Sequence, residues 1–112
     1  MIGGIAMNGN NRYGQELSPA DQLLVKLIQF DTSTGISPEK PAMDYVRELL
    51  ETAGIETRTF AKDEDRPNLL AVLRGEEKAG EEKLPALLLY GHMDVVPVTG
   101  QNWKEEPYPA PI

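Results

Sequence analysis

The chain has 112 residues, 40% apolar and 26% charged, the balance of an ordinary soluble globular protein and not of a disordered or collagen-like one. Its net charge is −7, and the 11 Lys and Arg residues are scattered among 18 acids without a basic run, so a nucleic-acid footprint is missing. No cysteine is present, which excludes disulfides and thiolate zinc sites and leaves the single histidine, His92, and carboxylates as the candidate metal ligands.

Residues 1–16, rich in Gly and Asn and without apolar periodicity, are expected to be a flexible leader. They hold no cationic stretch leading into an apolar run long enough for a signal peptide or a membrane span, so a cytoplasmic location without a membrane partner is expected. Residues 17–112 read as folded. Ser18 can cap free N–H groups, Pro19 suits the first helical position and Asp21 complements the positive end, so a helix is predicted from Pro19 to Gln29 with Leu24, Leu27 and Ile28 as its buried stripe. Asp31-Thr32-Ser33-Thr34-Gly35 is a loop, because short polar side chains compete for local backbone bonds. A second helix has Pro38 or Pro41 in its first turn. Its apolar face is Ala42, Val46, Leu49, Leu50 and Ala53, and Gly54 ends it in the left-handed conformation.

From Ile55 the period falls to two, as in a half-buried or edge strand that reaches Phe60. Charged residues 62–66 and Pro67 make a turn, and the apolar run Leu69 to Leu73 is short enough to be a strand buried on both faces. Residues 75–83 carry Gly-Glu-Glu-Lys twice, which reads as a solvated turn. The most apolar stretch, Pro85-Ala86-Leu87-Leu88-Leu89-Tyr90, reads as a central strand that runs into Gly91-His92-Met93-Asp94. Two helices followed by three strands point to a layered α/β fold, in which ligands gather at the carboxyl ends of strands.

His92 and Asp94 are two residues apart and project to one side if the strand continues. Such spacing lets a carboxylate accept from one imidazole nitrogen while the other coordinates a metal. It serves equally well for a surface or capping pair, and spacing alone leaves both roles open. The run from Pro85 through Gly91-His92-Met93-Asp94-Val95-Val96-Pro97, followed by Trp103 and Glu106-Pro107-Tyr108, resembles the signature of the zinc-dependent aminoacylase, carboxypeptidase, acetylornithine deacetylase and succinyl-diaminopimelate desuccinylase group. The helix leading into Asp31-Thr32, the helix closed by Ala53-Gly54-Ile55, and Arg66-Pro67-Asn68-Leu69 before a strand extend that resemblance over residues 18–110.

The resemblance implies the amino-terminal part of a three-layer α/β zinc-peptidase-like catalytic domain. It implies His92 as a ligand of one of two zinc ions and Asp94 as the catalytic-site carboxylate that supports it. It implies hydrolysis of amide bonds in N-acyl amino acids or small peptides, with a glutamate as general base. The glutamate, a bridging aspartate, further acidic ligands and a second histidine lie beyond Ile112 in such a family, as does a lid domain used for homodimerisation. The 112 residues are therefore expected to be an inactive fragment of an active parent. The rival expectation is a stand-alone, non-catalytic α/β module that binds a partner. Asp31-Thr32-Ser33 resembles the loop that carries an aspartic-protease carboxylate, but that loop has Gly after Asp-Thr and needs a second copy, which is missing here. Trp103 and Tyr108 are expected to pack a loop over the core.

Overall fold

The computed structural model describes residues 15–76, 80 and 82–108. The proposed leader, apart from Gln15 and Glu16, and part of the turn at 75–83 lie outside the described residues. Within them the chain is a small mixed α/β arrangement of two helices and one two-stranded antiparallel sheet.

Helix α1 spans Pro19–Ile28. Ser18 caps it through a capping box: its Oγ accepts from the Asp21 N–H at 3.2 Å, while the Asp21 carboxylate accepts from the Ser18 N–H at 3.0 Å. The expected buried stripe is corrected by the structure, since no residue of α1 is buried and Leu24 is 56% exposed. An amphipathic face buries only against another element, and α1 meets little of one. Its end is steadied by Phe30 tilted against Tyr45, ring centroids 5.6 Å apart, with the Lys26 ammonium over both rings.

Helix α2, Lys40–Thr52, lies against both strands of the sheet and buries Ala42 completely. It ends as the glycine requires. The Gly54 N–H donates to the Glu51 carbonyl and the Ile55 N–H to the Leu50 carbonyl, both at 2.9 Å, with Gly54 at φ 78°. This closure turns the chain into strand β1, Glu56–Phe60, which pairs antiparallel with β2, Asn68–Val72, in the register Glu56↔Val72 to Phe60↔Asn68. The Thr57 hydroxyl donates to Glu51 at 2.5 Å and ties β1 to the end of α2. Burial of β2 on both faces is not observed: Leu69 and Val72 are half-buried, Leu70 and Ala71 exposed. A two-stranded sheet covered by a single helix leaves one face to solvent.

The third strand expected at residues 85–90 is not formed. Residues 82–90 have no regular structure, Leu87 is 83% exposed and Tyr90 95%. A strand exists only where a neighbour takes up its N–H and carbonyl groups, and β1 and β2 pair with each other. Among the described residues no helix is long and apolar enough to cross a membrane.

The left-handed turn at Gly54 is open to a direct test. No atom lies within 4 Å of the position a Cβ would take, so Gly54→Ala meets backbone strain alone. It should destabilise the chain by about 1 kcal/mol, seen as a fall of roughly 4 °C in the thermal midpoint followed by circular dichroism; an unchanged midpoint would contradict the closure described.

Candidate functional site

Beside Ala42 and Pro67, the buried residues among those described are polar: Ser33 at 2% exposure, Thr32 at 4% and Glu39 at 7%. They mark the place where the loop after α1, the start of α2 and the turn before β2 meet. No buried side-chain nitrogen or oxygen among the described residues lacks a partner, as buried polar groups demand.

The loop is shaped by Asp31, whose carboxylate accepts from the Ser33 N–H at 2.9 Å and the Ser37 hydroxyl at 2.7 Å. Hydrogen bonds from the Ser33 side chain and then Ser37 hold its pKa below the ordinary carboxylate value, with a smaller contribution from Tyr108. These partners make Asp31 a turn-former. Ser37 is followed by Pro38 and Glu39. The Glu39 carboxylate turns away from the helix end and pairs with Arg66, while the Lys40 N–H donates to the Asp65 carbonyl at 3.1 Å. A carboxylate this buried needs such a partner, so the pair locks the turn before β2 onto the start of α2.

The segment after Tyr90 is fastened to the same loop. The Thr34 N–H donates to the Val95 carbonyl at 2.8 Å and the Val95 N–H to the Thr32 carbonyl at 3.1 Å, one rung of parallel pairing between Ser33 and Val95. The Thr32 hydroxyl adds a bond to the Met93 carbonyl at 2.6 Å. These bonds place His92 and Asp94 at the rim of a cleft of about 210 Å³, with Glu39, Arg66 and Asn68 among its lining residues.

The pair expected from the sequence is present as a contact. His92 Nδ1 lies 2.9 Å from Asp94 Oδ1 and 3.0 Å from the Asp94 backbone carbonyl. Both neighbours are acceptors, so Nδ1 carries a proton and donates, and in the neutral ring Nε2 then keeps its electron pair. The His92 side chain is 84% exposed, which leaves Nε2 open to a ligand. The other carboxylate oxygen, Asp94 Oδ2, accepts from the Thr34 hydroxyl at 2.9 Å. This bond first, and the His92 contact second, keep the Asp94 pKa below its usual value.

A neutral imidazole with Nδ1–H on a carboxylate and Nε2 free is the donor a zinc ion takes, so these two residues fit one corner of such a site. Three or four protein ligands complete one, and among the described residues no group of three His, Asp or Glu side chains could hold a metal. Thr32, Thr34 and the Glu39–Arg66 pair were not among the site residues expected from the sequence. The visible signal was the density of hydroxyls at 32–34. Trp103 is 54% exposed, so its expected packing role is corrected; Tyr108 is half-buried beside the Asp31 loop. Comparison with protein-family models, curated proteins and solved structures finds no match to this chain.

The lowered pKa of Asp31 carries a signed consequence. A carboxyl group whose folded pKa is depressed adds stability above its unfolded value, and that stability is lost as pH falls through the folded value. Asp31→Asn should therefore lower the thermal midpoint at pH 6, and that deficit should shrink at about pH 2.5, below the ordinary carboxylate value, as protonation of Asp31 sets in. A deficit of equal size at both pH values would show that the charge of Asp31 is not what orders the loop.

Proposed function

We propose that this chain is the amino-terminal portion of a zinc-dependent amide hydrolase of the aminoacylase, carboxypeptidase and deacylase kind, acting on N-acyl amino acids or small peptides. The observation that carries the reading is the state of His92: Nδ1 engaged by Asp94 and Nε2 free at a cleft rim, in the motif that suggested the family. Zinc, when bound, supplies polarisation of the amide carbonyl and activation of water. The part of this chain's residues is narrower. His92 offers one nitrogen, Asp94 holds the ring, and the rung at Ser33 and Val95 fixes the segment that carries both to the loop after α1.

The exposed apolar residues at 87–90 support the same reading from a different side. Leu87, Leu88 and Leu89 are each more than 70% exposed, and an uncharged run of this kind asks for sheet neighbours. In a longer chain it becomes the central strand of a three-layer catalytic domain whose later strands bring the missing acidic ligands, the second histidine and the glutamate base. A lid domain in the same longer chain accounts for a homodimer. A cytoplasmic location goes with this reading. A stand-alone, non-catalytic binding module is the competing reading, favoured by the absence of a three-ligand group among the described residues.

Both readings meet one test. The gene is read past the codon for Ile112, and the longest open frame is expressed beside the 112-residue chain. The hydrolase reading expects acidic residues and a second histidine in the added sequence. It expects N-acyl amino acid hydrolysis that a chelator abolishes and that His92→Ala lowers at least ~100-fold, the scale on which lost metal-site residues act. The 112-residue chain itself should show no site with micromolar zinc affinity by calorimetry. A stop directly after Ile112, or a longer chain without metal-dependent hydrolysis, overturns the reading in favour of the module.

A further inference from the structure

We infer that Thr34 is the positioning residue of this site: its hydroxyl, acting through Asp94, decides which nitrogen His92 presents to the cleft. The inference rests on the reading of His92 as a ligand for its functional meaning, but its geometry stands on the chain alone.

The last torsion of an aspartate side chain, about Cβ–Cγ, decides which of its two oxygens points where. Asp94 is half-buried with its side chain 46% exposed, so packing alone does not set that torsion, which is broad for a terminal carboxylate. Here the Thr34 hydroxyl holds Oδ2 at 2.9 Å, which aims Oδ1 at His92 Nδ1. The same hydroxyl lies 3.2 Å from the Val95 carbonyl. It has one proton, and the shorter, charge-assisted bond to the carboxylate is the stronger use of it. The backbone of Thr34 is fixed independently, by its own N–H on the Val95 carbonyl. Fixing the backbone first and the carboxylate second means that the hydroxyl points from a rigid base. With Oδ1 and the Asp94 carbonyl both accepting at Nδ1, the tautomer with Nε2 unprotonated is selected before any ligand arrives, which removes one reorganisation from ligand binding. The backbone rung does not need the hydroxyl, so a variant that lacks it separates positioning from folding.

The test is the tautomer of the neutral His92 ring, read from its two ring-nitrogen chemical shifts in the 112-residue chain at a pH where the ring is uncharged. There is one histidine, so the signals need no assignment among rivals. The expected result is a majority Nδ1–H form in the wild type, a ratio of Nδ1–H to Nε2–H reduced about threefold in Thr34→Val, the size one exposed hydrogen bond sets, and recovery in Thr34→Ser. A wild type with mainly Nε2–H overturns the inference before any variant is made, and so does a ratio equal in wild type and Thr34→Val. Loss of metal-dependent hydrolysis in the longer chain, with the tautomer result intact, would sink the hydrolase reading and leave Thr34 in its role.

Discussion

The placement of His92 and Asp94 depends on a polar clasp that joins residues 32–34 to residues 93–95. Four donors make it: the N–H groups of Thr34 and Val95 and the hydroxyls of Thr32 and Thr34. The partners lie about 60 positions apart in sequence. Closing a flexible loop of that length costs roughly 4 kcal/mol, and four hydrogen bonds at a net of about 1 kcal/mol each are of similar size. The clasp on its own is therefore near balance. It persists because α2 and the β1–β2 hairpin order most of the intervening chain, so that less of the loop remains to be closed. The Glu39–Arg66 pair is the fastening between the start of α2 and the turn before β2.

A junction built this way is unusual in what it buries. Among the described residues the buried apolar side chains are the small ones, Ala42 and Pro67, while Thr32, Ser33 and Glu39 are buried beside them. The large apolar side chains sit elsewhere, on α1 and at residues 84–90, and they face solvent. Polar groups can be buried at little cost when every donor finds an acceptor, and here they do. Apolar groups that remain exposed contribute nothing to folding. The chain holds His92 and Asp94 in a defined relation and yet supplies no further ligand among the described residues, because the other carboxylate lining the cleft, Glu39, is taken up by Arg66.

The local features of the fold were legible in the sequence because they depend on few residues. Ser18 with Asp21 at the start of α1, Gly54 at the end of α2 and the change of period at Ile55 each express a rule of backbone bonding that neighbouring residues settle among themselves. The His92–Asp94 contact was legible for the same reason, being a two-residue spacing. What could not be read was long-range. The hydroxyls of Thr32 and Thr34 look like ordinary loop residues until residues 93–95 lie beside them, and Glu39 gives no sign that its carboxylate turns to Arg66. The buried stripe of α1, burial of β2 on both faces and the strand at 85–90 fail on one ground. Apolar patterning states what a segment would bury, and only a neighbouring element makes the burial happen.

The clasp itself is most directly tested by hydrogen exchange at the Thr34 and Val95 amides. Both should exchange at least about tenfold more slowly than in an unstructured peptide, and at rates similar to each other, because the two bonds of one rung open together. Exchange of both at the unstructured rate, with the amides of α2 still protected, would show that residues 93–95 are not held against the loop, and the placement of His92 and Asp94 would lose its physical basis.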